Sequence, residues 1–154
     1  SYEETFKTGE RQIDYVVLDK LCKAVKGYAY AFQTIGYYEW RFSQKSLLID
    51  EQVMEQIFDA AKVDLFRNAY ERMYMDISNT DRVFINVIVK AGTPAVSTSQ
   101  LKAILNKPTN YISVYRARLL NDQLITSPQR GIVCLSLPFF AEFVHKYNQE
   151  HFID

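Results

Sequence analysis

The sequence lacks a phosphate-binding loop, the motif by which most ATPases and GTPases hold a nucleotide. It contains only five glycines, and none of them is followed by Lys-Ser or Lys-Thr. These are Gly9, Gly27, Gly36, Gly92 and Gly131. No acidic pair ends an apolar strand, where Mg²⁺ would be held. We therefore expect a chain that is not an enzyme and that binds no cofactor itself.

Cysteine and histidine are scarce, with two residues of each. Cys22 and Cys134 are far apart and have no CxxC spacing, and His145 and His151 both lie near the end of the chain. These spacings fit neither a zinc motif nor a nucleophile with its base. We expect no metal site, and two reduced thiols that are buried.

Long apolar runs are also missing, since none approaches the roughly 18 residues that a membrane span needs. Residues 1–10 are polar and of mixed charge, unlike a signal peptide. The composition is 48% hydrophobic and 14% aromatic, which is enough for a sizeable core. We predict a cytoplasmic protein with no membrane contact. Because the chain begins at Ser1 and not at methionine, we expect a fragment of a longer protein.

The chain has no net charge, but its charges are unevenly distributed. Residues 1–78 carry a net charge of −3 and residues 79–154 one of +3. From Arg82 to Arg130 there are seven basic residues and one acidic residue, Asp122. The sign changes at the polar cluster formed by residues 78–81, which is rich in helix-capping side chains. We predict two domains, 1–78 and 79–154, with different surroundings.

The first domain has the apolar periodicity of three helices. They are predicted over Gln12–Lys26, Ala29–Ser43 and Glu51–Ser78, with Asp50 as the cap of the third. Trp40, in the second helix, is expected to be buried. Residues 1–78 should therefore form a three-helix bundle.

The second domain has shorter segments separated by turn residues. Helices are predicted over Arg82–Lys90, Gln100–Leu105, Tyr111–Gln123 and Phe139–Asn148, with a hairpin turn at Ser127–Gly131. Two helices, a turn and a hairpin are the outline of a winged helix-turn-helix domain. The predicted fold class is therefore mainly α with a small β-hairpin wing.

Two parts of the sequence are similar to one family. Lys26–Trp40, KGYAYAFQTIGYYEW, resembles the lid segment "TGGxPYxIQxLGYxxW" of bacterial and archaeal AAA-type ATPases. Tyr115–Leu120 and Gly131–Phe143 are similar to the winged helix at the C-terminus of the same proteins. The chain departs from the lid motif where the family has its second glycine and its proline.

The resemblance implies a lid-like bundle in residues 1–78 followed by a winged helix, together the C-terminal part of an ATPase. ATP and Mg²⁺ would bind to an upstream ATPase domain of the same parent chain, and that domain would be a partner of this region. A lid arginine of the family reaches the γ-phosphate of the nucleotide, and Arg41 and Arg11 are the nearest candidates here. The lid would couple the winged helix to the nucleotide state.

The residues that we expect to contact duplex DNA are polar or basic and lie in the predicted helix-turn-helix and wing. On a helical wheel Asn110, Tyr111 and Arg118 share the side opposite the apolar stripe, where a recognition helix meets the major groove. Lys102 and Lys107 suit phosphate contacts, and Arg130 lies at the tip of the wing.

Two other functions remain open. A winged helix also serves as a protein-docking module, so a protein partner is an alternative to DNA. Alternatively, the chain is a free-standing transcription regulator that dimerises through residues 10–77.

Overall fold

The computed structural model describes residues 12–13, 15–44 and 48–151. The chain is mainly helical and has a small three-stranded antiparallel sheet, which confirms the predicted fold class. It divides into two compact units, Ser1–Ala69 and Tyr70–Asp154, which we call the N-terminal and C-terminal units. The division lies upstream of the boundary predicted between residues 78 and 79.

Three long helices make up most of the N-terminal unit. They are α1 (Tyr15–Val25), α2 (Ala29–Ser43) and α3 (Glu51–Leu65). Two short parallel strands, β1 (Gln12–Ile13) and β2 (Leu48–Ile49), flank the first two helices in the chain. The helices form because each has an apolar stripe at helical spacing. Their fully buried members include Leu21, Ala31, Ile35, Ile57, Ala61 and Leu65.

Helix α3 does not run unbroken to Ser78, as the sequence predicted. A π-helical segment, Phe66–Tyr70, follows it, and helix α4 covers Glu71–Asp76. The buried positions explain the interruption: they run Ala61, Leu65, Tyr70, Tyr74, with one step of five residues. An i→i+5 step is the register of a π turn. With this step Tyr70 and Tyr74 are buried. In a regular α-helix the buried residues after Leu65 would be those three and four positions later, Asn68 and Ala69.

The C-terminal unit contains the remaining helices and the sheet. The elements are α4 (Glu71–Asp76), α5 (Asn79–Lys90), β3 (Val96–Ser97), α6 (Thr98–Leu105), α7 (Thr109–Asn121), β4 (Ile125–Thr126), β5 (Ile132–Leu135) and α8 (Phe140–Glu150). Strand β5 lies in the middle of the sheet, antiparallel to both neighbours, in the order β3-β5-β4. Val96 faces Val133, and Ile125 faces Leu135.

Aromatic side chains fill the core between α4 and α8. The rings of Tyr70 and Tyr74 meet Phe140 and Phe143 edge to face, with centroids 5.4–6.1 Å apart. Edge-to-face contact is the favoured geometry of such rings. The buried hydroxyl of Tyr70 donates a 2.8 Å hydrogen bond to the carbonyl of Pro138. This bond fixes the chain just before α8 begins.

Two expectations about burial were wrong. Trp40 is 40% exposed, because α2 buries the side that carries Ala31 and Ile35 and leaves Trp40 with the exposed Tyr37. Cys22 is exposed and Cys134 is half-buried, and both are free thiols. Cys22 follows the buried Leu21 in α1, so its side chain points away from the buried stripe.

Candidate nucleic-acid interface

Helices α6 and α7 are joined by a short turn whose ends are fixed by local chemistry. Ser97 caps α6 in a reciprocal capping box: its hydroxyl accepts from the N–H of Gln100 (3.1 Å), whose side chain accepts from the N–H of Ser97 (2.9 Å). Asn106 ends α6 in a left-handed conformation, φ 49°. Pro108 then precedes the first turn of α7. These residues set the direction in which α7 leaves α6.

The start of α6 is also attached to the hairpin formed by β4 and β5. The backbone N–H and the hydroxyl of Thr98 both donate to the carbonyl of Gly131, each at 2.8 Å. Gly131 has a φ of +77°, which glycine adopts without strain. The turn that carries Arg130 is therefore held beside the N-terminus of α6.

Two of the predicted DNA contacts, Lys102 and Lys107, line one open pocket at the α6–α7 turn. Its volume is about 480 Å³. The lining residues are Ser99, Lys102, Ala103, Asn106, Lys107 and Pro108. All six are exposed to solvent, and no acidic residue is among them. The pocket is thus lined by two lysines together with a serine and an asparagine.

Two tyrosines flanked by two cations lie along one side of α7 and the turn before it, and we call Lys107, Tyr111, Tyr115 and Arg118 the α7 ladder. Lys107 Nζ lies 5.4 Å from the ring centroid of Tyr111. The rings of Tyr111 and Tyr115 are 4.5 Å apart, and Arg118 Cζ lies 4.6 Å from the ring centroid of Tyr115. Spacings of four, four and three residues bring these side chains to one side of the helix. Desolvation is the largest cause that raises the pKa of Tyr111, and the neighbouring Tyr115 is the next largest.

Arg118 ends the ladder in an ion pair with Asp81 of α5. Its Nε and Nη2 donate to Asp81 Oδ1 at 3.0 and 2.8 Å. The hydroxyl of Ser78 donates to Oδ2 of the same carboxylate at 2.6 Å. The Asp81 side chain is only 5% exposed, whereas that of Arg118 is 44% exposed. The hydrogen bonds to Asp81 raise the pKa of Arg118.

Arg118 was predicted to lie on the outward side of α7, and it is exposed there. Its pairing with Asp81 was not predicted. A DNA contact by Arg118 stays a prediction. Its guanidinium is already paired with the carboxylate of Asp81.

The remaining predicted residues are more dispersed. Asn110 is exposed in the first turn of α7, and Arg130 is exposed in the turn between β4 and β5. Neither belongs to the pocket lining or to the ladder. Arg41 belongs to the N-terminal unit, where it is exposed in the last turn of α2. Arg11 lies outside the residues that the structure describes. The structure therefore brings together Lys102, Lys107, Tyr111 and Arg118, through the pocket and the ladder.

Sequence reasoning missed Asp81 as a member of this site. Asp81 is the third residue after the α5 cap, Ser78, and its backbone N–H donates to the Ser78 hydroxyl at 3.1 Å. That Ser-x-x-Asp pattern predicts a capping role, which the structure bears out. The pairing with Arg118 bridges 37 positions in the chain, and no local pattern indicates it.

Among residues 12–13, 15–44 and 48–151, no group of three or more His, Cys, Asp or Glu side chains is arranged to hold a metal ion. Within the same ranges, no helix combines the length and the apolar character that crossing a membrane requires.

Comparison with known proteins gives one match. The model of a family described as a domain of unknown function (DUF8462) matches residues 65–144. This range begins at the end of α3 and includes α4 to α7, the sheet and the first half of α8. No curated protein and no solved structure matches the chain.

Proposed function

The chain belongs to the DUF8462 family, and we propose that its C-terminal unit is a winged-helix module that binds duplex DNA without catalysing a reaction. The order of elements supports the proposal: helix α5, strand β3, helices α6 and α7, then strands β4 and β5. In a winged helix the third helix enters the major groove and the hairpin forms the wing. Here these are α7 and the β4–β5 hairpin.

The observation that carries the proposal is the convergence of Lys102 and Lys107 on one pocket beside the N-terminus of α7. A phosphodiester seated in the pocket would meet the side chains of both lysines, whose positive charges attract it. Contacts of this kind position a protein on the duplex without reading its sequence.

Other residues extend the surface from that point. Asn110 and Tyr111 lie in the first turn of α7, just after Lys107, and would face the groove. An asparagine side chain there suits the edge of an adenine. Arg130, in the hairpin turn, would contact the backbone or the minor groove. Lys102, Lys107 and Arg130 supply about three phosphate contacts, for which we expect weak binding of roughly 10⁻⁴–10⁻⁶ M with little sequence preference.

The test is binding of the chain to a mixed-sequence duplex over a series of salt concentrations. With about three phosphate contacts, log K should fall against log salt with a slope near −2.7. Lys107→Ala should weaken binding and make this slope shallower by about 0.9. Lys146→Ala is the matched control, because Lys146 is an exposed lysine on α8 that pairs with Glu150 at 3.9 Å.

Two results would contradict the proposal. One is the absence of binding at low salt, where electrostatic contacts are strongest. The other is an equal loss of affinity in Lys107→Ala and Lys146→Ala, since that would point to general charge attraction and not to the pocket.

A protein-docking role is the second candidate, and a specific feature favours it. Val114 and Ile104 are 61% and 58% exposed, and they lie on α7 and α6, the helices that carry the proposed DNA surface. Exposed apolar side chains are typical of docking surfaces when they are contiguous. Val114→Ala shortens this apolar side chain without adding a charge, and it should leave weak DNA binding intact if DNA is held by the pocket and the wing.

We also propose that the N-terminal unit is the lid of an AAA-type ATPase and that the parent protein works in the cytoplasm. Helices α1 to α3 support this, as does the turn between α1 and α2. Lys26 and Gly27 have φ values of 50° and 72°, and the lid motif has two glycines at this turn. A phosphate-binding loop encoded upstream of Ser1 in the same reading frame is the expected observation. An upstream region without one would remove the ATPase relationship.

A further inference from the structure

We propose that Asp81, acting through Arg118, is a positioning residue for the DNA-binding side of α7. Arg118 then contributes to DNA binding by holding Tyr115 and Tyr111 in place, and it makes no phosphate contact of its own. This inference rests on the proposed function and assigns roles within the same surface.

The anchor of this arrangement is the Asp81 carboxylate. Its side chain is 5% exposed, and both of its oxygens are used: Ser78 donates to Oδ2 and Arg118 donates twice to Oδ1. Asp81 is itself fixed in the first turn of α5 by the capping bond from its N–H to Ser78. A buried, hydrogen-bonded carboxylate is costly to leave without its cation, so the pair resists separation.

The anchored guanidinium orders the tyrosines. Arg118 Cζ lies 4.6 Å from the Tyr115 ring, and the Tyr115 ring lies 4.5 Å from that of Tyr111. Lys107 approaches Tyr111 from the other end, at 5.4 Å. Each ring therefore lies between two neighbours along the helix, which restricts its rotamers. A base therefore cannot stack between these two rings.

The electrostatics favour a positioning role over direct contact. A phosphate that approached Arg118 would also approach the Asp81 carboxylate at 2.8 Å from Nη2, so attraction and repulsion would largely offset each other. Lys107 Nζ lies near the ring of Tyr111, and Lys107 has no carboxylate partner among the described residues. The ladder thus contains one cation suited to phosphate and one that is committed to structure.

Salt dependence separates the two roles. We expect Arg118→Gln and Asp81→Asn each to weaken binding to a mixed-sequence duplex about two- to fivefold, the effect of losing one exposed cation–aromatic contact. The slope of log K against log salt should stay at the wild-type value in Arg118→Gln, because no phosphate contact is lost. In Lys107→Ala the slope should become shallower by about 0.9.

Two binding results would overturn the inference. A slope shallower by about 0.9 in Arg118→Gln would mean that Arg118 contacts a phosphate. Tighter binding by Asp81→Asn would mean that Asp81 masks Arg118 and does not position it.

A readout without DNA keeps the inference testable if the proposed function fails. We expect the NMR signals of the Tyr111 and Tyr115 ring protons to move toward random-coil positions in Arg118→Gln. Arg130→Gln is the matched control and should leave both signals unchanged, since Arg130 lies outside the ladder. If wild type binds no DNA while these signals move in Arg118→Gln, the proposed function is wrong, and what stands is that Arg118 holds the two tyrosine rings in place. Unmoved ring signals in Arg118→Gln would overturn the positioning role, whether or not DNA binds.

Discussion

The N-terminal unit of wild type should lose stability steeply as the pH rises. Glu39→Gln should remove this loss. Glu39 lies in α2 with no exposed surface. Neither of its carboxylate oxygens has a hydrogen-bond partner in the part of the chain that the structure describes. Burial raises the pKa of Glu39 from 4.5 to about 8, because the charged form loses its hydration without gaining a partner.

The sign of the effect follows from the two pKa values. Below pH 4.5 the carboxyl is protonated in both the folded and the unfolded chain, and it carries no penalty. Between pH 4.5 and about 8 the unfolded chain releases the proton and the folded chain keeps it, so the free energy of unfolding falls as pH rises. Above pH 8 both states are charged and the penalty is constant.

The size of the effect is set by the length of that window. Each pH unit within it costs about 1.4 kcal/mol for one proton. From pH 5 to pH 8 the loss is on the order of 4 kcal/mol, a large share of the ~5–15 kcal/mol that stabilises a typical domain. Glutamine resembles the neutral carboxyl, so Glu39→Gln should match wild type near pH 5 and exceed it increasingly toward pH 8.

Urea unfolding at pH 5, 6, 7 and 8 measures this difference. Trp40, the only tryptophan in the sequence, is the next residue in α2, and its fluorescence reports on the N-terminal unit. Glu55→Gln is the matched control, because Glu55 is an exposed glutamate on α3. The stability difference between Glu55→Gln and wild type should be the same at every pH. A pH-independent difference between Glu39→Gln and wild type would refute the reasoning.

Two further substitutions test contacts of the C-terminal unit by urea unfolding followed by circular dichroism. Ser97→Ala removes the capping box at the start of α6 and should cost about 1 kcal/mol, and a neutral result would mean that the cap is replaced by water. Tyr70→Phe keeps the aromatic packing but leaves the carbonyl of Pro138 without its buried donor, which should cost about 1–3 kcal/mol. An unchanged midpoint would show that this hydrogen bond adds no net stability.

The elements that the sequence predicts well are those fixed by neighbouring residues. Helix α2 was predicted over Ala29–Ser43 and has those bounds. Asp50 was predicted to cap α3, and it accepts a 2.9 Å hydrogen bond from the N–H of Val53. In both cases the signal is local, because caps and apolar repeats act over three or four residues.

The features that the sequence did not predict depend on distant packing. The π segment lies where the buried positions step by five residues, from Leu65 to Tyr70, and the aromatic residues that surround Tyr70 come from α8, about 70 positions later. The exposure of Trp40 likewise depends on which side of α2 meets α3. Helical periodicity predicts which residues form the apolar side of a helix, but it does not predict which other helix packs against that side.

Charge counting fails at the candidate site for a related reason. The basic stretch was counted from Arg82, one residue after the acid that neutralises Arg118. Three of its seven cations are engaged inside the C-terminal unit. Arg118 binds Asp81, Arg82 donates to the carbonyls of Met75 and Ile77, and Arg116 donates to the hydroxyl of Ser127.

This internal use of arginine changes the expected DNA affinity. If all seven cations contacted phosphate, the slope of log K against log salt would be near −6. With the three arginines committed to structure, and Lys90 at the end of α5 outside the proposed surface, Lys102, Lys107 and Arg130 remain, and the slope falls to about −2.7. A measured slope near −6 would mean that the arginines leave their partners when DNA binds. The salt dependence of wild-type binding therefore tests, in one measurement, whether the three arginines keep their partners when DNA binds.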